Sequence, residues 1–375
     1  MHTRNEREAA RSVVEEDLER LCQRLEAEFQ ALDGRRLLIT GGGGFLGYYF
    51  VQAVTHWNRT RSHRSIQLTV VENGARGIQN WLRDLAGTPG FTLLLHDATT
   101  PLPAAVPELD YVVHAAGIAS PTYYRQHPLE TMDANVVGLR LLLEKARAQA
   151  ERGRPLSGFL FLSSSEIYGD PTPENIPTPE TYRGNVSCTG PRACYDESKR
   201  YGETLSVVFA RKYGVPVTIA RPFNNYGPGL RLHDGRVIPD FARCILEGRD
   251  IVMYSDGTPT RTFCYAADAV SGYYKVLVRG RAGEPYNIGV ESPEISMRDL
   301  AELMSRLGRE LFGYGGRVVL QKNPELDYLV DNPQRRCPVV AKARHEVGYA
   351  PEVPLEEGLR RSLLWYAGNR EDGTA

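Results

Sequence analysis

The chain has 375 residues, 42% of them hydrophobic and 24% charged, which is typical of one large or two closely joined globular domains. The 45 basic and 46 acidic side chains leave a formal net charge of −1, so no overall positive field would recruit nucleic acid or an anionic membrane. The longest apolar runs fall far short of the roughly 20 residues that span a bilayer, and the charged N-terminus is unlike a signal peptide, which predicts a cytoplasmic protein.

The first 31 residues predict an amphipathic helix that precedes the first strand. Apolar side chains recur at helical spacing from Val13 to Phe29, among many glutamates and arginines. Three placements stay open for this helix: it packs on the body of the protein, packs on a second subunit, or forms a loosely docked, solvated extension.

From Arg35 onwards, short apolar runs alternate with amphipathic segments of helical length. The runs that predict buried strands cover residues 37–40, 67–71, 91–95, 111–114, 158–163 and 215–221. Such alternation predicts an α/β fold of the Rossmann type, a doubly wound parallel sheet covered by helices on both faces.

Closely spaced turn signals after Arg221 predict a smaller α/β lobe. Its predicted helices cover residues 266–279, 296–308, 339–347 and 355–366, and its short strands lie near residues 251–254, 285–288 and 317–320. We therefore expect a helical extension at 1–31, a first domain at 32–221, and a lobe at 222–375 that is partly interleaved with it. Five prolines between residues 169 and 191 predict a long loop.

The six cysteines show no paired C-x-x-C spacing. This pattern indicates reduced, mostly buried thiols rather than a zinc site or a disulfide framework. Nothing in the sequence therefore predicts a bound metal.

A glycine cluster follows the first predicted strand directly. Gly41, Gly44 and Gly47 give the spacing G-x-x-G-x-x-G, with Phe45 and Leu46 between the last two. Backbone N–H groups in such a loop, together with the N-terminus of the next helix, can approach a pyrophosphate. A flexible turn is the alternative, but the position between a strand and a helix favours a dinucleotide site.

Two acidic residues follow the next strands and extend this interpretation. Glu72, near the end of the second strand, can accept hydrogen bonds from adenosine ribose hydroxyls and repel a 2′-phosphate, which favours NAD over NADP. A solvated strand-end charge is the alternative for Glu72. Asp97 is predicted to contact the adenine side or to cap its own loop.

Tyr195 and Lys199 lie four residues apart in a predicted helix. This offset places both side chains on one helical face, where the ammonium can lower the pKa of the phenol below its usual value near 10. We expect the pair to form a base that takes a proton from a sugar hydroxyl. A plain surface pair is the alternative.

Several motifs together resemble the extended short-chain dehydrogenase/reductase superfamily. These are the glycine cluster, His114-Ala115-Ala116-Gly117 after the fourth strand, the serine-rich end of the fifth strand, and Y-x-x-x-K at residues 195–199. Residues 163–171, SSSEIYGDP, are similar to the T-S-E-V-Y-G-D-P segment of UDP-glucuronate decarboxylases, also called UDP-xylose synthases. The similarity continues through residues 190–197, 221–228, 233–237, 260–263 and 331–336, and covers about residues 35–366.

The resemblance implies a tightly held NAD in a cleft lined by Ala115, Ala116 and Gly117. It implies that Tyr195 takes the substrate proton and that Lys199 holds the nicotinamide ribose. It also implies that residues 32–221 bind NAD and carry the reacting groups, while residues 222–375 mainly bind the substrate. A homodimer built from helices of the cofactor domain is a further implication.

The reaction implied is oxidation of C4 of UDP-glucuronate, loss of carbon dioxide from the resulting β-keto acid, and return of the hydride to give UDP-xylose. Ser164 would hydrogen-bond the reacting oxygen and stabilise the enolate with Tyr195. Glu166 and Arg261 match the family's positions for decarboxylation. The alternatives are a structural loop carboxylate for Glu166 and a strand-edge ion-pair partner for Arg261.

The resemblance also implies which residues bind the UDP-sugar substrate. Asn224 and Arg236 match positions beside the diphosphate, and Tyr254 and Arg335 would complete the nucleotide pocket unless they are a packing tyrosine and a solvated arginine. Pro121, Tyr124 and Ser165 would border the sugar, although an aromatic loop that only packs is equally consistent with the first two.

Three departures from the family pattern are Ser164 in place of Thr, Gly229 in place of Arg, and Pro259 in place of Gln. They leave open whether part of the 4-keto pentose is released before reduction. Two other functions also stay open. A UDP-glucuronate 4-epimerase, or another enzyme that oxidises C4 of a nucleotide sugar, would use the same Tyr195 and Lys199, and a regulatory scaffold would only bind NAD.

Overall fold

The structure, a computed structural model, describes residues 4–321 and 333–370. Its centre is a seven-stranded sheet with the spatial order β11-β6-β5-β4-β1-β2-β3, in which every neighbouring pair is parallel. The strands are β1 (Arg36–Thr40), β2 (Gln67–Glu72), β3 (Phe91–Leu95), β4 (Tyr111–His114), β5 (Gly158–Leu162), β6 (Val217–Pro222) and β11 (Pro285–Ile288). The α/β fold of the Rossmann type is therefore confirmed.

Helices connect these strands, and two apolar cores lie against the two faces of the sheet. Those in the first part of the chain are α1 (Arg4–Arg24), α2 (Glu26–Leu32), α3 (Phe45–Thr60), α4 (Asn80–Arg83), α5 (Pro121–Gln126), α6 (Pro128–Asp133), α7 (Leu139–Glu151) and α8 (Ala193–Tyr213). A π-helical turn at Ala134–Gly138 joins α6 to α7, and α8 ends where Gly214 adopts a left-handed conformation.

The rest of the chain forms three small sheets and five helices within the described residues. The strands are β7 (Asn225–Tyr226), β8 (Ile251–Met253), β9 (Thr260–Arg261), β10 (Cys264–Tyr265), β12 (Ile295–Ser296), β13 (Val318–Leu320) and β14 (Arg335–Arg336). The helices are α9 (Val237–Leu246), α10 (Ala266–Arg279), α11 (Met297–Phe312), α12 (Ala341–Val347) and α13 (Leu355–Gly368). Because β11 returns to the large sheet, the chain crosses between lobes, and the predicted division at residue 222 stays a prediction.

The predicted N-terminal helix consists of two helices, α1 and α2, which meet at Leu25. Helix α1 packs mainly on α13 and also on α3 and α10. Its apolar side chains, including Leu18 and Leu21, are buried in the main core. Of the three placements that the sequence left open, the structure shows packing on the body of the protein.

In the described ranges, no helix combines the length and apolarity needed to cross a membrane. The six cysteines are free thiols, of which four are buried and Cys188 is exposed.

Candidate active site

The glycine cluster lies between β1 and α3 and packs tightly on its surroundings. Gly41 has a φ of +70°, and a side chain there would place its Cβ 2.6 Å from the Cα of Ala116. A Cβ on Gly47 would lie 2.3 Å from the carbonyl oxygen of Gly42. Gly44 caps α3, which begins at Phe45 and continues through Leu46, so the N-terminus of a 16-residue helix opens beside the loop.

Glu72 lies at the end of β2 and faces this loop. Its Oε2 accepts a hydrogen bond of 3.0 Å from the N–H of Gly43, and its Oε1 accepts one of 3.3 Å from Gly74. A Cβ on Gly43 would lie 2.8 Å from Glu72 Oε2, so the loop leaves space that only glycine keeps open. The contacts of this loop with the pyrophosphate and of Glu72 with the adenosine ribose stay predictions.

Asp97 caps the turn after β3. Its Oδ1 accepts hydrogen bonds from the backbone N–H and the hydroxyl of Thr99, at 2.9 and 2.8 Å. The capping alternative therefore describes its observed contacts, and a role beside adenine stays a prediction.

The segment after β4 is held by a buried hydrogen-bond network. His114 is buried and bridges the Thr40 hydroxyl (2.8 Å) and the Ala134 carbonyl (3.1 Å), while the N–H of Ala116 contacts the same hydroxyl at 3.4 Å. Burial and, after it, the charge of Lys199 lower the pKa of His114 to about 3, so this ring is neutral. This network fixes the position of residues 115–117.

Asn135 lies in the π-helical turn and is a polar residue that the sequence did not single out. Its Nδ2 donates to the Ser198 hydroxyl at 2.9 Å, while its buried Oδ1 has no hydrogen-bond partner among the described residues. A Cβ on Gly117 would lie 2.8 Å from that oxygen and 3.6 Å from Lys199 Nζ. An unsatisfied acceptor at this place fits a ligand or water in the cleft.

Tyr195 lies in the first turn of α8, buried beside Ser164. Its hydroxyl is hydrogen-bonded to the Ser164 side chain, and its ring stacks on Tyr124 of α5 with centroids 5.1 Å apart. Burial raises the pKa of Tyr195 from 10.0 to about 12 despite the opposing Ser164 hydrogen bond. The net direction is thus opposite to the lowering by Lys199 that the sequence led us to expect.

Lys199 is buried one turn later on α8. Its Nζ donates to the Leu162 carbonyl at 2.7 Å and lies 5.8 Å from the Tyr195 ring centroid. Burial lowers the pKa of Lys199 from 10.5 to about 7, and Glu203 raises it in part. The structure therefore brings Ser164, Tyr195 and Lys199 together.

Residues 163–168, here called the catalytic turn, carry Ser164 and Glu166 after β5. The Ser164 Oγ accepts the N–H of Glu166 at 3.1 Å, and Ser165 begins the short 3-10 helix Ser165–Tyr168. This hydrogen bond holds the Ser164 side chain in place at the start of the 3-10 helix.

Glu166 lies between two buried arginines, Arg192 and Arg336. Arg192 forms an ion pair with its Oε2, and Arg336 contacts both carboxylate oxygens, with Nη2 2.7 Å from Oε2. Burial acts to raise the pKa of Glu166, but the two guanidinium charges hold it well below its usual range. Glu166 is therefore an ionised carboxylate at neutral pH.

Arg261 lies on β9, beside Arg336 on the neighbouring strand β14. Its guanidinium donates to the carbonyls of Pro333 (2.6 Å), Thr260 (2.8 Å) and Gln334 (3.2 Å). Burial and the charge of Arg336 lower the pKa of Arg261 from 12.5 to about 9. Arg192 also pairs with the buried carboxylate of Asp196 at 3.8 Å, so carboxylates on both α8 and the catalytic turn face this group of arginines.

The residues predicted to bind the substrate lie on several separate elements. Pro121 begins α5, which carries Tyr124, and Ser165 is buried in the catalytic turn. Asn224 has a φ of 41° and donates to the Thr262 carbonyl at 2.9 Å. Arg236 pairs with Asp234 at 3.0 Å and donates to the Ala119 carbonyl at 3.2 Å, with its guanidinium carbon 5.9 Å from the Phe45 ring centroid.

Tyr254 and Arg335 both have exposed side chains. Tyr254 follows β8 and is 40% exposed, and Arg335 pairs with Glu294 at 2.7 Å. Their role in a nucleotide pocket stays a prediction. Residues 331 and 332, part of one similar segment, lie outside the described residues.

Sequence reasoning missed Arg192 and Arg336 as site residues. Arg192 precedes Tyr195 by three residues and Lys199 by seven, which is a helical spacing that could have signalled a shared face. Arg336 is separated from Glu166 by 170 residues, and no local sequence pattern predicts their contact.

The departure at Gly229 has a structural reason. Gly229 has a φ of +88°, and a Cβ there would lie 2.6 Å from the Cβ of Tyr48. The Tyr48 ring, which also contacts Trp81 and Trp365, fills the space that a longer side chain at 229 would need.

A family model described as the NAD dependent epimerase/dehydratase family matches residues 37–289. UDP-glucuronic acid decarboxylase 3 of Arabidopsis thaliana is 36% identical over 324 residues, 86% of this chain and 86% of that protein. UDP-glucuronic acid decarboxylase 1 of Xenopus tropicalis is 35% identical over 338 residues, 89% of this chain and 72% of that protein.

Among solved structures, the dTDP-glucose 4,6-dehydratase DesIV of Streptomyces venezuelae, with NAD and TYD bound, superposes with a TM-score of 0.75. It is 26% identical and covers 89% of this chain and 98% of its own. The chain belongs to the NAD dependent epimerase/dehydratase family. Within it, the similarity to UDP-glucuronic acid decarboxylases of a plant and a vertebrate confirms the resemblance predicted from the motifs.

Proposed function

We propose that the protein decarboxylates UDP-glucuronate to UDP-xylose, with NAD as a resident cofactor and a UDP-4-keto sugar as intermediate. The observation that carries the proposal is the buried set of Ser164, Tyr195 and Lys199 next to a carboxylate enclosed by arginines. The family relationship supports the same substrate class.

Each reacting group has a role that its surroundings support. Tyr195 takes the proton of the C4 hydroxyl, and Ser164 donates a hydrogen bond to the same oxygen. The glycine loop and Glu72 would hold NAD, and Lys199 would hold its nicotinamide ribose. The bound cofactor would supply the hydride acceptor for C4 and the hydride donor for the final reduction.

The carboxylate of the sugar becomes β to the C4 ketone, so the C5–C6 bond breaks and its electrons flow into the C4 oxygen. Ser164 and Tyr195 stabilise that developing charge, and C5 then takes a proton from solvent water, while Tyr195 keeps the C4 hydroxyl proton for the final reduction. Arg261 recognises the sugar carboxylate. Glu166 keeps Arg192 and Arg336 in place as an ionised group, rather than transferring protons itself.

Purified protein incubated with NAD and UDP-glucuronate tests the proposal directly. Carbon dioxide and sugar nucleotides are followed together, and we expect stoichiometric carbon dioxide and UDP-xylose. Recovery of UDP-glucuronate with its carboxylate intact would rule the decarboxylase out. UDP-galacturonate as product would establish the 4-epimerase instead, and UDP-4-keto-pentose would show that the intermediate is released.

We also propose a homodimer formed through α6, the π-helical turn and α8. Large apolar side chains are exposed along these adjacent elements: Leu129, Met132, Val137, Tyr201 and Val208. An apolar strip on two neighbouring helices suits a two-fold interface in which each copy contributes the same pair. A cytoplasmic location is proposed on the sequence alone.

A further inference from the structure

A buried ion pair lies directly behind the reacting groups, and the proposed reaction does not use it. Glu203 follows Lys199 by four residues on α8, and Arg221 lies near the end of β6. Arg221 binds the carboxylate with two parallel hydrogen bonds, Nε to Oε1 at 2.8 Å and Nη2 to Oε2 at 2.6 Å. This bidentate geometry is the strongest and most directional form of such a pair.

The pair contacts both ends of the catalytic turn. The Ser163 hydroxyl donates to Glu203 Oε1 at 2.6 Å, at the first residue of the turn. Arg221 Nη1 donates to the hydroxyl of Tyr168, the last residue of the turn, at 2.6 Å. Between these two anchors lie the serine hydroxyl and the carboxylate to which reaction roles are assigned.

The far side of the turn is anchored as well. The Tyr168 hydroxyl donates to Asn287 Oδ1 at 2.8 Å, and Arg221 Nη1 also donates to the Glu180 carbonyl at 3.0 Å. The network therefore connects α8, β6, β11 and the proline-rich loop to the same turn.

Glu203 also affects the charge of Lys199. The titratable groups that face Lys199 are Tyr195 and Glu203 on α8 and His114 on β4, and the histidine is neutral. Burial lowers the pKa of Lys199, and the Glu203 carboxylate opposes that effect. Arg221, which neutralises the carboxylate, limits the size of the opposing effect.

We propose that Glu203 and Arg221 are positioning residues for the reaction, rather than only a structural ion pair. They hold the catalytic turn at both ends, and Glu203 supports the charged form of Lys199. The proposal rests on the proposed function, because that function gives the reaction roles to Ser164, Glu166 and Lys199. Neither Glu203 nor Arg221 is assigned a contact with substrate or cofactor.

The main test compares Glu203→Gln with Ser163→Ala. Glu203→Gln keeps the size of the side chain and the Oε1 acceptor but removes the charge. We expect kcat to fall by about tenfold to a hundredfold, as for other residues that orient a reacting group, with little change in KM or in NAD binding. The alkaline limb of the pH profile should move to lower pH, because Lys199 then loses its proton more easily.

Ser163→Ala removes one anchor of the turn without changing any charge. We expect a smaller kcat at every pH and an alkaline limb that stays in place. Glu197→Gln is the matched control, since it removes a partly exposed carboxylate of the same helix that lies 3.6 Å from Arg200. It should turn over like the wild-type enzyme.

A third variant separates positioning from stability. Replacing both partners, Glu203→Leu with Arg221→Met, removes the pair without leaving an unpaired buried charge, which proteins often tolerate. We expect this variant to bind NAD and to lose kcat. If the double variant or Glu203→Gln has the same kcat and pH profile as the wild-type enzyme, the proposal is overturned. If the double variant does not fold, Glu203→Gln alone decides.

The activity of the wild-type protein distinguishes failure of the proposed function from failure of the positioning role. If the wild-type protein forms no carbon dioxide from UDP-glucuronate, the proposed function fails. The positioning role is then measured on bound NADH formed with UDP-glucose as an oxidisable probe. If the wild-type protein is active and all variants match it, the positioning role fails alone.

Discussion

Burial acts on the two ends of the Y-x-x-x-K pair in opposite directions. It raises the pKa of Tyr195 to about 12 and lowers the pKa of Lys199 to about 7, because in each case the neutral form is favoured away from water. The Ser164 hydrogen bond and the charge of Arg236 oppose the effect of burial on the pKa of the phenol.

Replacing Tyr195 by Phe should abolish oxidation of the sugar. The change removes the hydroxyl that takes the substrate proton, while the ring and its stacking on Tyr124 are kept. We expect kcat to fall by about a hundredfold to ten-thousandfold, with NAD binding unchanged. Single-turnover formation of bound NADH measures the step directly.

Tyr213→Phe, at the end of the same helix, is the control for that experiment. Its ring packs on Phe209 and lies outside the site, so its activity should match the wild-type enzyme. Turnover by Tyr195→Phe at the wild-type rate would show that the base has been wrongly assigned.

Glu166→Gln should reduce both activity and stability. The amide cannot neutralise Arg192 and Arg336, which are buried, so removing one partner of this cluster should cost about 3–5 kcal/mol of unfolding free energy. Because the pKa of Glu166 is held well below its usual range, the wild-type pH profile should show no limb from this group near neutral pH.

The pH profiles of wild-type and Glu166→Gln enzymes measure this point. We expect the two profiles to have the same shape and different heights. A limb near neutral pH that disappears in the variant would instead show that Glu166 transfers a proton.

At the scale of elements, the sequence was sufficient to predict the strands and helices that depend on a local pattern of residues. The six predicted strands of the Rossmann sheet match β1–β6 of the large sheet closely, because each is a short apolar run bounded by turns. Helix α10 and strand β11 also occur where the pattern predicted them.

Contacts between distant segments could not be predicted in the same way. The break between α1 and α2 at Leu25, the addition of β11 to the large sheet, and the Glu166–Arg336 pair all depend on tertiary packing. Similarly, the pKa direction of Tyr195 follows from burial, which the four-residue spacing does not reveal.

Val208→Asp should disrupt the proposed dimer. Val208 is 45% exposed on α8, and a charge at its position would be buried in the proposed interface without a partner. By solution mass measurement, we expect a dimer for the wild-type protein and a monomer for this variant. Arg211→Asp, one turn later on α8, is the control that tests whether an added aspartate elsewhere on the helix also disrupts the dimer. A dimer in the Val208→Asp variant would contradict the proposed interface.

At the scale of the whole molecule, Asp17 connects α1 to elements from distant parts of the chain. Its buried carboxylate accepts hydrogen bonds from Tyr49 of α3 and Tyr265 of β10, and Arg361 of α13 lies 3.2 Å away. Burial raises the pKa of Asp17 from 3.8 to about 6, against the opposing effect of these partners.

This pKa makes a specific contribution to the pH dependence of stability. The native state holds the Asp17 proton up to about pH 6, whereas the unfolded chain releases it near 3.8, so this group makes stability fall as pH rises through that window. Asp17→Asn lacks the titration. Relative to wild type, the variant should therefore gain about 2 kcal/mol of unfolding free energy between pH 4 and pH 7.

The difference in Tm between the two proteins, followed across this pH range, measures the effect without a full unfolding model. Glu16→Gln is the matched control, because Glu16 is exposed and pairs with the same Arg361 at 2.9 Å. It removes an acid without removing a buried one, so its Tm difference should not follow the same trend. If the Asp17→Asn difference stays constant with pH, Asp17 is ionised in the folded protein at all these pH values, and the partners from α3, β10 and α13 outweigh its burial.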